Sequence, residues 1–260
     1  MAEIRCALWN CSGILPTSSA KEKMDFLRTC TRSNLDVLIL VETHHKFLQE
    51  ISPLLHAYMR NSRVVHTGAQ TGDPYAGIAV LVSSRLKVLD QTVLLPGRLL
   101  NLRIKGNSKT FNISVVYGYT SSNASQQKMK LVTDILAKHH KTNDNNIILG
   151  DFNFVENDLD RTNQNRSGKN QCDNVLARTW CDFTERLSLS DPFRARNPMR
   201  RAYSYIHTMA KSKSRLDRLY VNDENCNDIL YYKHVPTHFI KAHKLVTFAI
   251  KEECERGPGF

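Results

Sequence analysis

Four apolar runs in this 260-residue chain each stop at a residue that can bind a cation, orient a ligand or move a proton. Ala7-Leu8-Trp9 stops at Asn10, and Leu38-Ile39-Leu40-Val41 stops at Glu42. Val115-Val116 stops at Tyr117, and Ile147-Ile148-Leu149-Gly150 stops at Asp151, with Asn153 close behind. Strand ends on a sheet are a rigid platform on which binding groups can converge. Carboxylates with amide oxygens form the hard-oxygen set that suits Mg²⁺ or Mn²⁺. Such a cation serves phosphodiester hydrolysis by neutralising charge, provided another group orients or deprotonates the attacking water. Singly, these residues have plainer readings: Asn10 suits a turn, Glu42 a surface carboxylate, and Asp151 the start of a turn or helix. Their recurrence at one strand end after another favours a shared site.

The elements that must position them are legible from periodicity and turn residues. Strands are predicted from Ile4 to Trp9, Asp36 to Val41, Gly77 to Val82, Val88 to Leu94, Leu99 to Ile104, Phe111 to Tyr117 and Asn146 to Leu149. Closing strands are predicted from Tyr203 to Thr208, Leu216 to Val221 and Val246 to Ile250. Helices are predicted from Ala20 to Ser33, Ser125 to His139 and Asp173 to Leu187, the second with Met129, Val132, Ile135 and Leu136 on one face. Asn10 to Ser19 reads as a polar loop and Glu156 to Asn170 as a long surface loop. No repeat or linker divides the chain. Residues 1–250 are expected to form one α/β domain of two packed, mainly antiparallel β-sheets flanked by helices, a four-layer sandwich.

Bulk charge narrows the partner. The formal net charge of +11, densest between Arg194 and Arg218, suggests a polyanion, although a solvated basic surface is the plainer account. No run approaches the eighteen or so apolar residues of a membrane helix, so no membrane partner is expected. The opening MAEIRCALWN lacks a basic stretch leading into a long apolar one, and no secretory signal is expected. Seven scattered cysteines without C-x-x-C spacing read as reduced thiols rather than a disulfide or zinc framework.

Five segments appear in a familiar order. They are Trp9-Asn10-Cys11-Ser12-Gly13, Val41-Glu42-Thr43-His44, Val116-Tyr117-Gly118, Gly150-Asp151-Phe152-Asn153 and Ser214-Arg215-Leu216-Asp217-Arg218. Together they resemble the endonuclease/exonuclease/phosphatase family, which implies a DNase I-like fold over nearly the whole chain. Leu159-Asp160-Arg161, Leu189-Ser190-Asp191-Pro192-Phe193-Arg194 and Arg201-Ala202-Tyr203-Ser204-Tyr205 resemble the apurinic-endonuclease-like domains of LINE-type non-LTR retrotransposons. Arg256-Gly257-Pro258-Gly259-Phe260 resembles the linker that follows such domains, so 251–260 is expected to lead toward a reverse transcriptase region of the same polypeptide.

The resemblance implies a metal-dependent enzyme that nicks one strand of double-stranded DNA in the nucleus and leaves a 3′-OH to prime reverse transcription. By matching position, Glu42 is the expected principal ligand of Mg²⁺ or Mn²⁺, with Asn10 beside it. Asp151 is expected to orient or deprotonate water, Asn153 to hold that water or the phosphate, and Tyr117 to contact the scissile phosphate. His243 is expected to hydrogen-bond a non-bridging oxygen, steadied by Asp217. Ser204, Arg200, Arg201, Arg215 and His44 are expected to face DNA. Three other readings stand beside this one: a phosphatase or phospholipase of the same fold, an abasic-site repair endonuclease, and a DNA-binding domain with weakened catalysis. The last arises because the family's Ser-Asp-His reads here as Lys241-Ala242-His243. His238 is a second candidate for the histidine, but no strand is predicted directly after it.

The missing aspartate generates a prediction. If its charge helps to hold the cation, Ala242→Asp should raise nicking at limiting Mg²⁺ by about tenfold, equivalent to about 1.4 kcal/mol at the transition state. Superimposable Mg²⁺ titrations of the two proteins would show that the departure is compensated.

Overall fold

Strands buried on both faces require cover on both faces. In β2 (Val37–Val41) every residue is buried, and β1 (Ala2–Asn10) and β4 (Ile78–Ser83) are nearly as apolar. The computed structural model describes residues 2–14, 25, 34–56, 59, 61–120, 125–141, 144–162, 171–207, 212–236 and 242–252. These three strands lie inside a six-stranded sheet with β3 (Ser62–Thr67), β13 (Ile229–Val235) and β15 (Leu245–Glu252), ordered β13-β15-β1-β2-β4-β3. A second sheet combines β5 (Lys87–Leu95), β6 (Leu99–Lys105), β7 (Thr110–Tyr117), β8 (Asn145–Asp151), β9 (Leu189–Ser190) and β12 (Asp217–Asn222). Its order is β5-β6-β7-β8-β12-β9. A small sheet of β10 (Tyr205–His207), β11 (Ser212–Ser214) and β14 (Ala242–His243) completes the set.

The main core lies between the two large sheets, where Cys6, Leu8, Ile39 and Val80 meet Leu102, Val115, Ile147 and Leu219. Helix α1 (Leu48–His56) sends Ile51 and Leu55 onto Trp9, Leu38 and Leu40 on the outer face of the first sheet. Helices α2 (Ser125–His139) and α3 (Gln171–Arg186) cover the second sheet, packing Met129, Leu136, Trp180 and Phe183 on Val116, Ile148 and Tyr220. The result is the expected four-layer α/β sandwich. Pairing is mainly antiparallel, but β1 runs parallel to β2 and β7 parallel to β8. Each parallel pair brings two successive strand ends to the same edge of its sheet.

Some predicted boundaries shift. Strand β15 continues to Glu252, whose buried carboxylate accepts the Asn107 N–H at 2.7 Å, so Lys251 and Glu252 belong to the sheet rather than to a linker. Residues 253–260 lie outside the described residues, as does the predicted helix over 20–33 except Asp25, which is helical. The basic stretch 194–218 is no single loop: it contains the end of α4 (Pro192–Arg196), β10, β11 and the start of β12. Elements β3 and β13, which edge the first sheet, and α1 have no counterpart among the predicted elements.

Arg215 was expected to face DNA, and the structure corrects this. Its side chain is 0% exposed, with Nε donating to Asp160 Oδ1 at 2.7 Å, Nη2 to Asp160 Oδ2 at 3.1 Å and Nη1 to Asp191 Oδ2. Asp160 also accepts from Arg194 Nη2 at 2.5 Å. Burial opposes ionisation of Asp160, but Arg215 outweighs it and holds the carboxyl below its ordinary range. Two carboxylates take three of the guanidinium's donors, and its complete burial keeps a phosphate from reaching it. Removing one partner of a buried ion pair strands the other without solvent. Arg215→Ala should therefore destabilise the protein by about 3–5 kcal/mol in urea unfolding at neutral pH. A loss under about 1 kcal/mol, the scale of an exposed pair, would mean that the cluster is not structural.

Candidate active site

The two parallel pairs set the site. At the end of the first sheet Asn10 pairs with Val41, and Glu42 follows directly. At the same end of the second sheet Tyr117 pairs with Asp151, and Asp151 pairs with Asp217 across β12. His243 arrives separately on β14, where it pairs with Tyr205. Its ring lies on that of Tyr205, with centroids 4.6 Å apart.

Local backbone turns aim these side chains. Glu42, His44 and Asn153 all take left-handed φ, at 57°, 60° and 57°, which non-glycine residues adopt at a cost that surrounding structure must offset. The Glu42 turn is pinned from both sides, by Gly13 N–H on the Glu42 carbonyl at 2.7 Å and by Thr43 N–H on the Gly77 carbonyl at 3.2 Å. Gly77 has φ 120°, and a Cβ there would meet Thr43 Oγ1 at 2.3 Å, so a side chain would displace the turn.

The polar contacts form one network. Asn10 Nδ2 donates to Glu42 Oε2 and to Asp151 Oδ2, each at 2.8 Å. Its Oδ1 accepts Ser12 N–H at 3.0 Å, so in this arrangement Asn10 bridges the carboxylates instead of offering oxygen to a cation, as had been expected of it. Asp151 Oδ1 accepts Asn153 N–H at 2.9 Å, while Asn153 Nδ2 donates to the Gly118 carbonyl at 2.9 Å. The Tyr117 hydroxyl bonds to Glu42, and the Arg98 guanidinium stacks 4.2 Å above the Tyr117 ring. His243 Nδ1 lies 2.7 Å from Asp217 Oδ2, and Nε2 lies 3.7 Å from Asp151 Oδ2.

Burial and neighbouring charge set the protonation states. Burial raises the Asp151 pKa to about 6, partly countered by His243 and by the Asn10 hydrogen bond. Burial would lower His243, but Asp217 and then Asp151 outweigh it and raise the imidazole to about 9. Burial also disfavours ionisation of Glu42, yet hydrogen bonds to His44, Asn10 and Tyr117 leave its pKa below the ordinary value. Near neutral pH the site therefore holds ionised carboxylates and an imidazolium.

Asp151, Asp217 and His243 offer ligand atoms within 4.8 Å of one another. A cation is better matched by Glu42 and Asp151. The His243 ring is protonated and bound to Asp217, whereas the two carboxylates converge on one amide nitrogen and supply hard oxygen. The negative charge of Glu42, Asp151 and Asp217 also exceeds what His243 neutralises, which fits a divalent ion.

The expected DNA-facing residues separate. Arg200 and Arg201 are exposed, and His44 is half-buried with Nε2 3.4 Å from Glu42 Oε1. Ser204 is corrected: it is 0% exposed, and its Oγ accepts the N–H groups of Leu216 and Asp217 at 3.0 Å each. It positions the Asp217 strand from behind. His238 and Lys241 lie outside the described residues. Tyr205 and Arg98 were not singled out as site residues, because neither contact has a local sequence signal.

The model of the Endonuclease/Exonuclease/phosphatase family matches residues 7–238. The chain belongs to that family. The transposon TX1 uncharacterized 149 kDa protein of Xenopus laevis is 30% identical over 153 residues, which is 56% of this chain and only 11% of that protein. Three solved structures share the fold. The AP endonuclease LMAP of Leishmania major aligns with TM-score 0.79 at 16% identity, covering 96% of this chain and 88% of that one. An AP endonuclease of Archaeoglobus fulgidus aligns with TM-score 0.78 at 16% identity, covering 96% and 100%. The catalytic domain of Xenopus laevis APE2 aligns with TM-score 0.73 at 15% identity, covering 97% and 94%.

The Asp217–His243 contact yields a pH prediction. A folded pKa raised above 6.5 means that this pair stabilises the fold fully below pH 6.5 and loses its effect as pH rises through about 9. In the metal-free protein, the His243 ring signals in NMR should titrate well above the ordinary histidine value. Asp217→Asn should lower that midpoint by about one to three units. An unmoved midpoint would show that Asp217 does not hold the proton on His243.

Proposed function

We propose that this protein is a divalent-metal-dependent endonuclease of a LINE-type mobile element, which nicks one strand of double-stranded DNA to leave a 3′-OH for reverse transcription. The observation that carries this reading is the single Asn10 amide joining Glu42 to Asp151, beside the Asp217–His243 pair. Likeness to a transposon protein supports the mobile-element setting. A reverse transcriptase region of the same polypeptide as partner and the nucleus as workplace complete the proposal. The net charge of +11 and exposed Arg200 and Arg201 favour a nucleic acid over a small phosphate ester or lipid.

Glu42 and Asp151 would hold Mg²⁺ or Mn²⁺, which would supply charge neutralisation at the phosphate and the departing oxygen. Asp151 orients the water and accepts its proton. Protonated His243 donates to a non-bridging oxygen as negative charge builds there, and Asp217 keeps its ring in place. Tyr117, held on Glu42, contacts the same phosphate. The water oxygen bonds to phosphorus as the bond from phosphorus to O3′ breaks, and O3′ takes a proton from solvent water, leaving the 3′-OH on one fragment and the phosphate on the other.

A second reading has support in the fold neighbours, which include AP endonucleases, so an abasic site is the competing substrate. Supercoiled plasmid free of abasic lesions separates the two. Wild-type protein should relax it in Mg²⁺ and not in EDTA, and Glu42→Ala should stay folded and lose the activity by at least about a hundredfold. Nicking that persists in Glu42→Ala at the wild-type rate would overturn the metal-ligand assignment. Cleavage restricted to plasmid carrying abasic sites would favour repair.

A further inference from the structure

Met199 is the most exposed of the large apolar side chains among the described residues, at 77%, and it lies directly before Arg200 and Arg201, both exposed. A single exposed methionine is ordinary on a surface. What is unusual here is the support beneath it. Arg194 Nη1 donates to the carbonyls of Asn197, Pro198 and Arg200 at 3.2, 3.1 and 3.0 Å, gripping the loop on both sides of Met199. The other end of the same guanidinium is anchored by Nη2 on the buried Asp160, which also binds the buried Arg215. Asn197 Nδ2 adds a bond to the Phe193 carbonyl at 3.0 Å, and Arg200 N–H closes on the Asn197 carbonyl at 3.1 Å.

Burying ions costs several kcal/mol per group unless their partners are well placed. Here the network terminates in a loop whose tip is apolar and whose shoulder is cationic. That charge is available to a partner, unlike the charge of Arg194, which faces inward.

The loop is also tied to the reactive centre. Met199 and Ser204 are five positions apart, so their Cα atoms are at most about 17 Å apart. Ser204 binds the Leu216 and Asp217 N–H groups, and its carbonyl accepts Lys244 N–H at 2.6 Å. Asp217 in turn holds His243. That reach corresponds to at most about five base steps of duplex. Apolar side chains flanked by arginine are the chemistry by which proteins enter a groove and unstack a base step, with the cations on adjacent phosphates.

We propose that residues 197–201 form a preformed wedge that enters a groove of duplex DNA beside the nick, with Met199 as its tip and Arg200 and Arg201 on flanking phosphates. This rests on the endonuclease reading above. The wedge makes the enzyme sensitive to how easily the local duplex unstacks, so deformable steps are favoured even where no base edge is contacted.

The test measures binding by fluorescence anisotropy in EDTA, where nothing is cut. The probes are a fully paired short duplex and the same duplex with an unpaired bulge, whose stacking is already broken. Met199→Ala should weaken binding to the paired duplex by about tenfold, leave the bulged duplex nearly unchanged and leave the salt dependence intact. Met199→Leu, which keeps an apolar tip, should bind as the wild type does. Replacing Arg200 and Arg201 by Ala should instead flatten the salt dependence on both duplexes, by about 0.9 log units for each lost contact. The wedge is overturned if Met199→Ala binds the paired duplex as tightly as wild type, or loses the same factor on both. Wild-type protein that binds neither duplex would overturn the endonuclease reading itself, and the wedge with it.

Discussion

A single side-chain amide joins the two halves of this molecule where the chemistry would occur. Asn10 Nδ2 donates to Glu42, which follows a strand of the first sheet, and to Asp151, which ends a strand of the second. Two carboxylates drawn this close repel each other, and burial of Asp151 adds to the cost of its charge. An amide with two N–H donors meets both needs and leaves the remaining carboxylate oxygens to other partners. The His243 imidazolium, held by Asp217, supplies positive charge 3.7 Å from Asp151. The rest of the fold can be read as what is needed to bring these strand ends together: two parallel pairs, each aligning consecutive ends, and a core that fixes the distance between the sheets.

Part of the backbone strain lies in the same place. Glu42, His44 and Asn153 occupy left-handed backbone conformations, and each lies within three residues of a strand end. Ser204 shows a related economy. Its buried hydroxyl holds the backbone that presents Asp217, so a residue expected at the DNA surface acts one layer behind it. Arg215 is a parallel case, in which a cation from the most basic stretch of the chain is consumed by Asp160 and Asp191. Basic residues divide here into those that build the platform and those that remain on its rim, and only burial separates the two groups.

The candidate site was legible to an uneven degree. Strand ends at Asn10, Glu42, Tyr117 and Asp151 stand out because a fully buried strand is a continuous apolar run that stops abruptly. Edge strands lack that signal: β13 reads Ile-Leu-Tyr-Tyr-Lys-His-Val, mixing apolar and cationic residues, and only pairing with β15 makes it a strand. Helix α1 was hidden for a similar reason, since it is short and carries Pro53.

By itself the amino-acid sequence determined the residue types and their order. It placed hard-oxygen and proton-carrying groups at successive strand ends, made two sheets with outer helices the economical way to bury so many apolar runs, and concentrated positive charge after Arg194. These are local properties, set by composition and period. Only the tertiary structure decided which groups meet: Asn10 between two carboxylates, Asp217 rather than a nearer acid on His243, Arg215 inside and Arg200 outside. The physical reason is that protonation, hydrogen bonding and ion pairing depend on distance and burial. Partners such as Asn10 and Asp151, 141 positions apart in the chain, acquire a common environment only when the two sheets close over the core.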